Sequence, residues 1–288
     1  MLKGMFADVP VWKKMLITVF LALLALFFSS AVMYVLAIVA DVQYSFSTSL
    51  HWVRAMQLVQ AAFTFIAVPT VCAYLFTYKF KTFYLFSIPS KKESVLVLLA
   101  MLFLLPLINL TAELNEAIPF SGSLYEWMSS LEESAERTLQ LLLSDTSIQG
   151  LFISLFIMAV IPAVGEELLF RGLLQKLLAD WSRNSHVAIW ITAFIFSFIH
   201  FQFMGFFPRM LLGVFFGYLY AWKNNLLLPM LAHFANNAIA VFAYWTINRY
   251  SLSIDIDGVG TYETLYLSIL SAPLFASLVW LLYKKNRA

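Results

Sequence analysis

Three short stretches of an otherwise apolar chain carry groups able to do chemistry. Glu166, Glu167 and Arg171 stand in Pro162-Ala-Val-Gly-Glu-Glu-Leu-Leu-Phe-Arg-Gly172, His200 closes Phe196-Ser-Phe-Ile-His, and His233 opens His233-Phe-Ala-Asn-Asn237. An ionisable group at bilayer depth costs roughly 2.5 to 3.5 kcal/mol on insertion scales, so several together mark a functional site. Peptide-bond hydrolysis needs a general base beside a water, an oxyanion stabiliser and a proton donor for the leaving amine. Glu166 and His200 can hold and deprotonate the water, while His233 and Asn237 can face the developing oxyanion. The same atoms offer a second solution. Glu166, His200 and His233 make a two-histidine, one-glutamate set of the kind that holds a catalytic zinc with a position open for water. Spacing does not choose between the two.

On a helix Glu167 and Arg171 are four apart and share a face, so a charge-assisted pair lowers the cost of burying either. Glu166 is turned about 100° away, free for water or substrate. Pro162 removes a helix hydrogen bond and can kink this segment, and Gly165 and Gly172 let neighbouring helices come close. The plainer alternative is a pair of interfacial glutamates with Arg171 snorkelling to the cytoplasm. A lone His200 would ordinarily just bond a serine or carbonyl. His233 and Asn237 change that, because at i and i+4 they bring an imidazole and an amide donor to one face. Asn236 points off that face, toward a role in bonding between helices.

Membrane helices must position these groups. Hydrophobic residues make up 62% of the 288 and charged ones 12%, against about 45 to 50% and about 25% in soluble domains. The reading is a single all-α domain, 1–288, forming a polytopic bundle of about eight membrane helices. A net charge of +2 gives no reason to expect nucleic acid. The lone Cys72 cannot make an internal disulfide. The first apolar run, Met15 to Ala40, outlasts a signal-peptide core of about 7 to 15 residues and is taken as a span. Others are expected at Ala55 to Tyr78, Ser94 to Ala112, Ile148 to Val164, His186 to Met204, Pro208 to Trp222, Leu226 to Ile247 and Tyr262 to Tyr283. The helix of the fourth can run on through Glu166 and Arg171 to a break near Trp181-Ser182.

With the N-terminus inside, the inner segments hold fourteen basic residues: Lys3, Lys13, Lys14, Lys79, Lys81, Lys91, Lys92, Arg171, Lys176, Arg183, Lys223, Lys284, Lys285 and Arg287. The outer ones hold only Arg54, Arg137, Arg209 and Arg249. That asymmetry puts both termini in the cytoplasm. The connection 113–147 is acidic, with Leu124, Trp127, Met128, Leu131, Ala135, Leu139 and Leu142 at helical spacing, and reads as an amphipathic helix on the outer interface. Counted from the cytoplasmic ends, His233 lies roughly 12 Å deep and His200 roughly 20 Å, with Glu166 shallower. For them to meet at one cytosol-accessible pocket, the fourth span must bend or begin deeper. Short loops and the lack of organelle signals suit a bacterial inner membrane.

In order and spacing, Glu166-Glu167-xxx-Arg171, Phe196-xxx-His200 and His233-xxx-Asn237 resemble the CPBP intramembrane proteases, which include type II CAAX prenyl endopeptidases, bacteriocin-processing enzymes and Abi immunity-type proteins. The likeness covers a catalytic core of residues 148–247. It implies that Glu166 is the catalytic carboxylate supported by Glu167 and Arg171, that His200 joins in activating water, and that His233 and Asn237 form the oxyanion side. It further implies a membrane-associated peptide or lipidated protein as substrate. Site-2-type zinc proteases need a His-Glu-x-x-His helix, and none is present. Ser197 lacks the Gly-x-Ser signature of serine intramembrane proteases. A proton-coupled transporter or a non-proteolytic scaffold or immunity protein remain the alternative classes; the first expects a paired repeat, which the chain lacks.

Overall fold

The computed structural model describes residues 2–39 and 49–284. Ala40, Lys285 and Arg287, used above for the first span and the charge count, lie outside them. The described residues form helices and no strand: α1 Val11–Val39, α2 Leu50–Phe76, α3 Lys91–Glu116, α4 Gly122–Leu142, α5 Ile148–Ser182, α6 Ser185–Phe198, α7 Phe206–Lys223, α8 Leu227–Tyr250 and α9 Leu265–Lys284. Each expected span coincides with a helix, yet the count of eight crossings is not met. Six helices are long and apolar enough to cross a membrane: α1, α2, α3, α5, α8 and the segment Tyr262–Lys284 that contains α9. At 1.5 Å per residue, α6 and α7 reach only about 21 and about 27 Å, against a hydrocarbon core of about 30 Å.

The fourth span is drawn to Val164, and its helix runs on for 35 residues in all to Ser182, at the expected break, where Arg183 turns left-handed at φ 54°. Glu166 therefore sits near the middle of a long helix, which removes the depth mismatch with the histidines. Arg171 and Lys176, counted above as inner-segment charges, belong inside this helix. It can continue through them because Arg171 pairs with Glu167 and Lys176 Nζ donates to the Phe83 carbonyl at 3.0 Å. Two wider π turns, Phe156–Val160 and Leu168–Gln175, flank the Pro162 to Glu167 stretch. In a regular helix Pro162 would leave the carbonyl four residues back without its donor. That carbonyl, Met158, accepts instead from Asn237 Nδ2 at 3.0 Å.

The fifth expected span is also shorter than drawn, because α6 ends at Phe198. His200 lies just beyond it. The Phe196 carbonyl, freed at the helix end, accepts from His200 Nδ1 at 2.6 Å, and Phe201 then takes φ 53°. The turn 199–205 leads directly into α7, which returns antiparallel to α6. Their approach depends on glycine. A Cβ at Gly213 would lie 3.1 Å from Ala193 Cβ, and one at Gly217 would lie 2.9 Å from Ile189 Cγ2.

Two apolar clusters flank these helices. One joins Val97, Met101 and Leu104 of α3 to Leu212, Phe216 and Leu219 of α7, Leu228 and Ala232 of α8, and Leu282 of α9. The other joins Val68, Cys72 and Phe76 of α2 to Phe170, Leu173 and Leu177 of α5 and Phe196 of α6. Polar contacts fix the ends. Phe207 N–H donates to Asn115 Oδ1 at 2.8 Å at one end, and Lys223 Nζ lies 3.7 Å from Glu93 at the other. The acidic connection does form a helix, α4, but Met128 and Leu142 are buried while Leu124 and Trp127 are about half exposed. Its apolar face is only partly covered by protein.

Candidate active site

Glu167 and Arg171 lie at the centre of the bundle, each 0% exposed. Arg171 Nη1 donates to Glu167 Oε1 at 2.7 Å, and Nη2 donates to the Gly213 carbonyl at 3.0 Å. Its guanidinium carbon stands 4.8 Å from the ring centre of Phe196 and 5.4 Å from that of Phe216. Weak hydration lets a guanidinium accept such a partly aromatic setting. A lysine has no planar fork to reach both a carboxylate and the carbonyl of Gly213.

Glu167 Oε1 has a second partner, His233 Nδ1, at 2.9 Å. A carboxylate accepts, so this nitrogen carries a proton and Nε2 is left for chemistry. Nε2 faces Glu166 Oε2 at 3.9 Å. The His233 ring stacks on Phe216 at 5.3 Å between centroids and meets the edge of Phe196 at 6.0 Å. Arginine, glutamate and histidine thus form a chain of contacts in which each group fixes the orientation of the next. The expected division of labour between adjacent glutamates is visible: Glu167 is consumed by internal pairing, while Glu166 is not.

A cavity of about 310 Å³ collects the remaining groups, lined by Glu166, His200, Arg209, His233, Asn236 and Asn237 among others. With its Nδ1 proton given to the Phe196 carbonyl, a neutral His200 ring offers the Nε2 lone pair. Of the six expected site residues, four reach this cavity: Glu166, His200, His233 and Asn237. Glu167 and Arg171 stand behind it. Asn236 corrects the sequence reading: it too lines the cavity, donating from Nδ2 to Asn237 Oδ1 at 3.2 Å. Asn237 has one amide hydrogen committed to Met158.

Arg209 was not expected at all. Its position next to Pro208, at the start of an apolar run, resembled an outer-loop cation. Instead it sits in the first turn of α7 and lines the cavity, with Nη2 donating to Gln202 Oε1 at 2.9 Å and Nη1 to the Gln202 carbonyl at 3.2 Å. No pattern in the sequence marked it. Arg54 is likewise no loop cation, being buried in α2 with Nη2 3.7 Å from Asp145.

As arranged, the described residues contain no group of three or more His, Cys, Asp or Glu that could hold a metal ion. Glu166, His200 and His233 share a cavity without converging as a ligand set. The cavity lies between mid-depth and the end of the bundle bearing the 199–205 turn. Lys91, Lys176 and Lys223 cluster toward the opposite end. Arg209 stands in the first turn of α7 and Lys223 in its last.

Residues 148–239 match the family model described as Type II CAAX prenyl endopeptidase Rce1-like. A relative in Bacillus subtilis (strain 168), "Uncharacterized protein YpbD", is 31% identical over 86 residues, covering 28% of this chain and 41% of that protein's length. No solved structure matches.

Proposed function

We propose that this member of the Rce1-like, CPBP group is an intramembrane endopeptidase that cleaves a peptide bond in a membrane-associated substrate, a propeptide, bacteriocin-type peptide or lipidated protein. One observation carries the reading: Glu166 and the Nε2 of a Glu167-oriented His233 face each other across a cavity that also receives His200. Such a cavity suits hydrolysis in a water-poor setting.

Water held between Glu166 and His200 Nε2 attacks the substrate carbonyl and gives its proton to Glu166. Glu166 then passes that proton to the leaving amine as the C–N bond breaks. Negative charge developing on the carbonyl oxygen is met by the spare amide hydrogens of Asn236 and Asn237. His233, its ring oriented by Glu167 as an acid orients a histidine in other hydrolases, stands on the same side of the site. No step requires a metal. A zinc-dependent variant would show as activity lost on chelation and restored by Zn²⁺.

Membrane fractions carrying the wild type should contain a new peptide terminus that Glu166→Ala and His200→Ala both remove while remaining inserted. Cleavage retained in either variant rejects the assigned roles. Substrate-dependent proton flux in liposomes with no peptide product would favour a transporter. For topology, an integral protein of a bacterial inner membrane with cytoplasmic termini should carry Lys91→Cys and Glu126→Cys on opposite faces. Labelling each from one side of sealed vesicles with an impermeant maleimide checks this, because native Cys72 is fully buried. Glu126, on α4, reports the face nearest the cavity.

A further inference from the structure

We propose that Asn115, in the last turn of α3, is a positioning residue for His200: its side-chain amide clamps the turn 199–205 and so holds the imidazole at the cavity. Asn115 lies outside residues 148–239. The inference rests on the protease reading and adds to it a residue that acts through the backbone around His200.

His200 is not held by a helix. It follows the end of α6, and the next residue, Phe201, takes φ 53°. A bulky residue in the left-handed region is strained and persists only where its surroundings enforce it. Backbone hydrogen bonds within the turn are long. His200 N–H reaches the Ser197 carbonyl at 3.3 Å, Phe201 N–H the Phe198 carbonyl at 3.2 Å, and Phe206 N–H the Phe203 carbonyl at 3.3 Å. Ser197 Oγ adds a bond to the Phe206 carbonyl at 2.6 Å, but it comes from α6 itself. Asn115 ties the turn to a different helix: Nδ2 donates to the Phe203 carbonyl at 3.0 Å and Oδ1 accepts from Phe207 N–H at 2.8 Å.

Those partners dictate the amide's orientation, since only its oxygen can accept from Phe207 and only its nitrogen can donate to Phe203. One planar group thus sets the separation between the end of the turn and the first turn of α7. It also satisfies a helix-start N–H that has no intrahelical acceptor. Asn115 is 4% exposed, so water does not compete for these bonds. Trp127 of α4 touches the turn as well, with its ring 5.4 Å from that of Phe203, but a ring contact fixes no backbone group. A second asparagine on α3 provides the comparison. Asn109 Nδ2 donates to the carbonyls of Ile256 and Val259 at 2.9 and 3.0 Å, and so holds the loop 251–261 instead.

The test sets Asn115→Leu against Asn109→Leu, each of which removes from α3 an amide that makes two hydrogen bonds. Isotope-labelled histidine in the purified protein gives four side-chain NMR signals, and the one lost in His200→Ala is that of His200. In the wild type it should report a single tautomer with the proton on Nδ1. Asn115→Leu should convert it to an exchanging mixture while His51 and His186 keep their signals, which shows a folded protein. Asn109→Leu should leave it unchanged. On a cleaved membrane peptide, Asn115→Leu should lower kcat about 10- to 100-fold, the cost of a misplaced group, with KM within about threefold. Asn115→Asp, nearly isosteric, keeps the acceptor for Phe207 and loses the donor for Phe203; it carries the same test should Asn115→Leu not fold. A His200 signal untouched by the Asn115 variants, one moved equally by Asn109→Leu, or a loss confined to KM overturns the proposal. A moved His200 signal in a protein that cleaves nothing leaves the clamp standing and removes the protease reading; cleavage with an unmoved signal does the reverse.

Discussion

The sequence Glu-Glu-x-x-x-Arg occurs twice, as Glu166-Glu167 with Arg171 in α5 and as Glu132-Glu133 with Arg137 in α4. In both, the second glutamate pairs with the arginine four residues on. The α5 pair closes at 2.7 Å with both side chains 0% exposed, whereas the α4 pair stands at 3.4 Å with 69% and 67% exposure. Local geometry is therefore the same and the surroundings are not. In α5 the pair is embedded among Phe196, Phe216 and His233, and fixes the orientation of a reacting group. In α4 it is solvated and orients nothing. A motif becomes a site only where the fold excludes water around it and supplies the other half.

Substitutions at matched positions can break or sharpen that contrast. The largest effect is expected at the glutamates. Glu166→Gln should lower cleavage by about 10² to 10⁴, the range for removing a general base. Glu133→Gln, in the exposed α4 pair, should leave it within about threefold, as substitutions away from special features do. A comparable loss in the two, measured on the same membrane peptide, would erase the distinction. Next, Arg171→Ala should cost about 3 to 5 kcal/mol of stability by leaving Glu167 charged in the interior without its arginine partner. Thermal or denaturant unfolding in detergent reads it, and a cost below about 1 kcal/mol would mean that the pair is not structural. Smallest of all, Arg137→Ala should change stability by about 0.3 to 0.5 kcal/mol, shrinking further in high salt.

Periodicity and composition made the helical, membrane-embedded class legible, along with the Glu167–Arg171 pair and the pairing of His233 with Asn237 on one segment. Those features depend on one turn of helix or on the bulk content of the chain. Span ends were less legible. Val164 was drawn as the end of a span because charges follow it; the sequence allowed the helix to run on to Ser182, and the packing of Arg171 against Gly213 and of Lys176 against Phe83 is what accommodates the charges inside it. The helical break at His200 was hidden for a similar reason, since an apolar run does not register a side chain capturing a carbonyl. Asn236 was assigned by the angular step of a helix to the wrong surroundings, because the cavity spans more than one face of α8.

The amino-acid order by itself determined that the chain would be helical and apolar enough for a membrane, and which polar groups share one turn of helix, since hydropathy and i, i+4 geometry act over a few residues. Tertiary structure alone decided which glutamate stays free, which of two identical motifs loses its water, and that Arg209 joins the cavity. Those outcomes depend on what approaches from helices distant in the chain, where burial, dielectric and hydrogen-bond partners are set by packing.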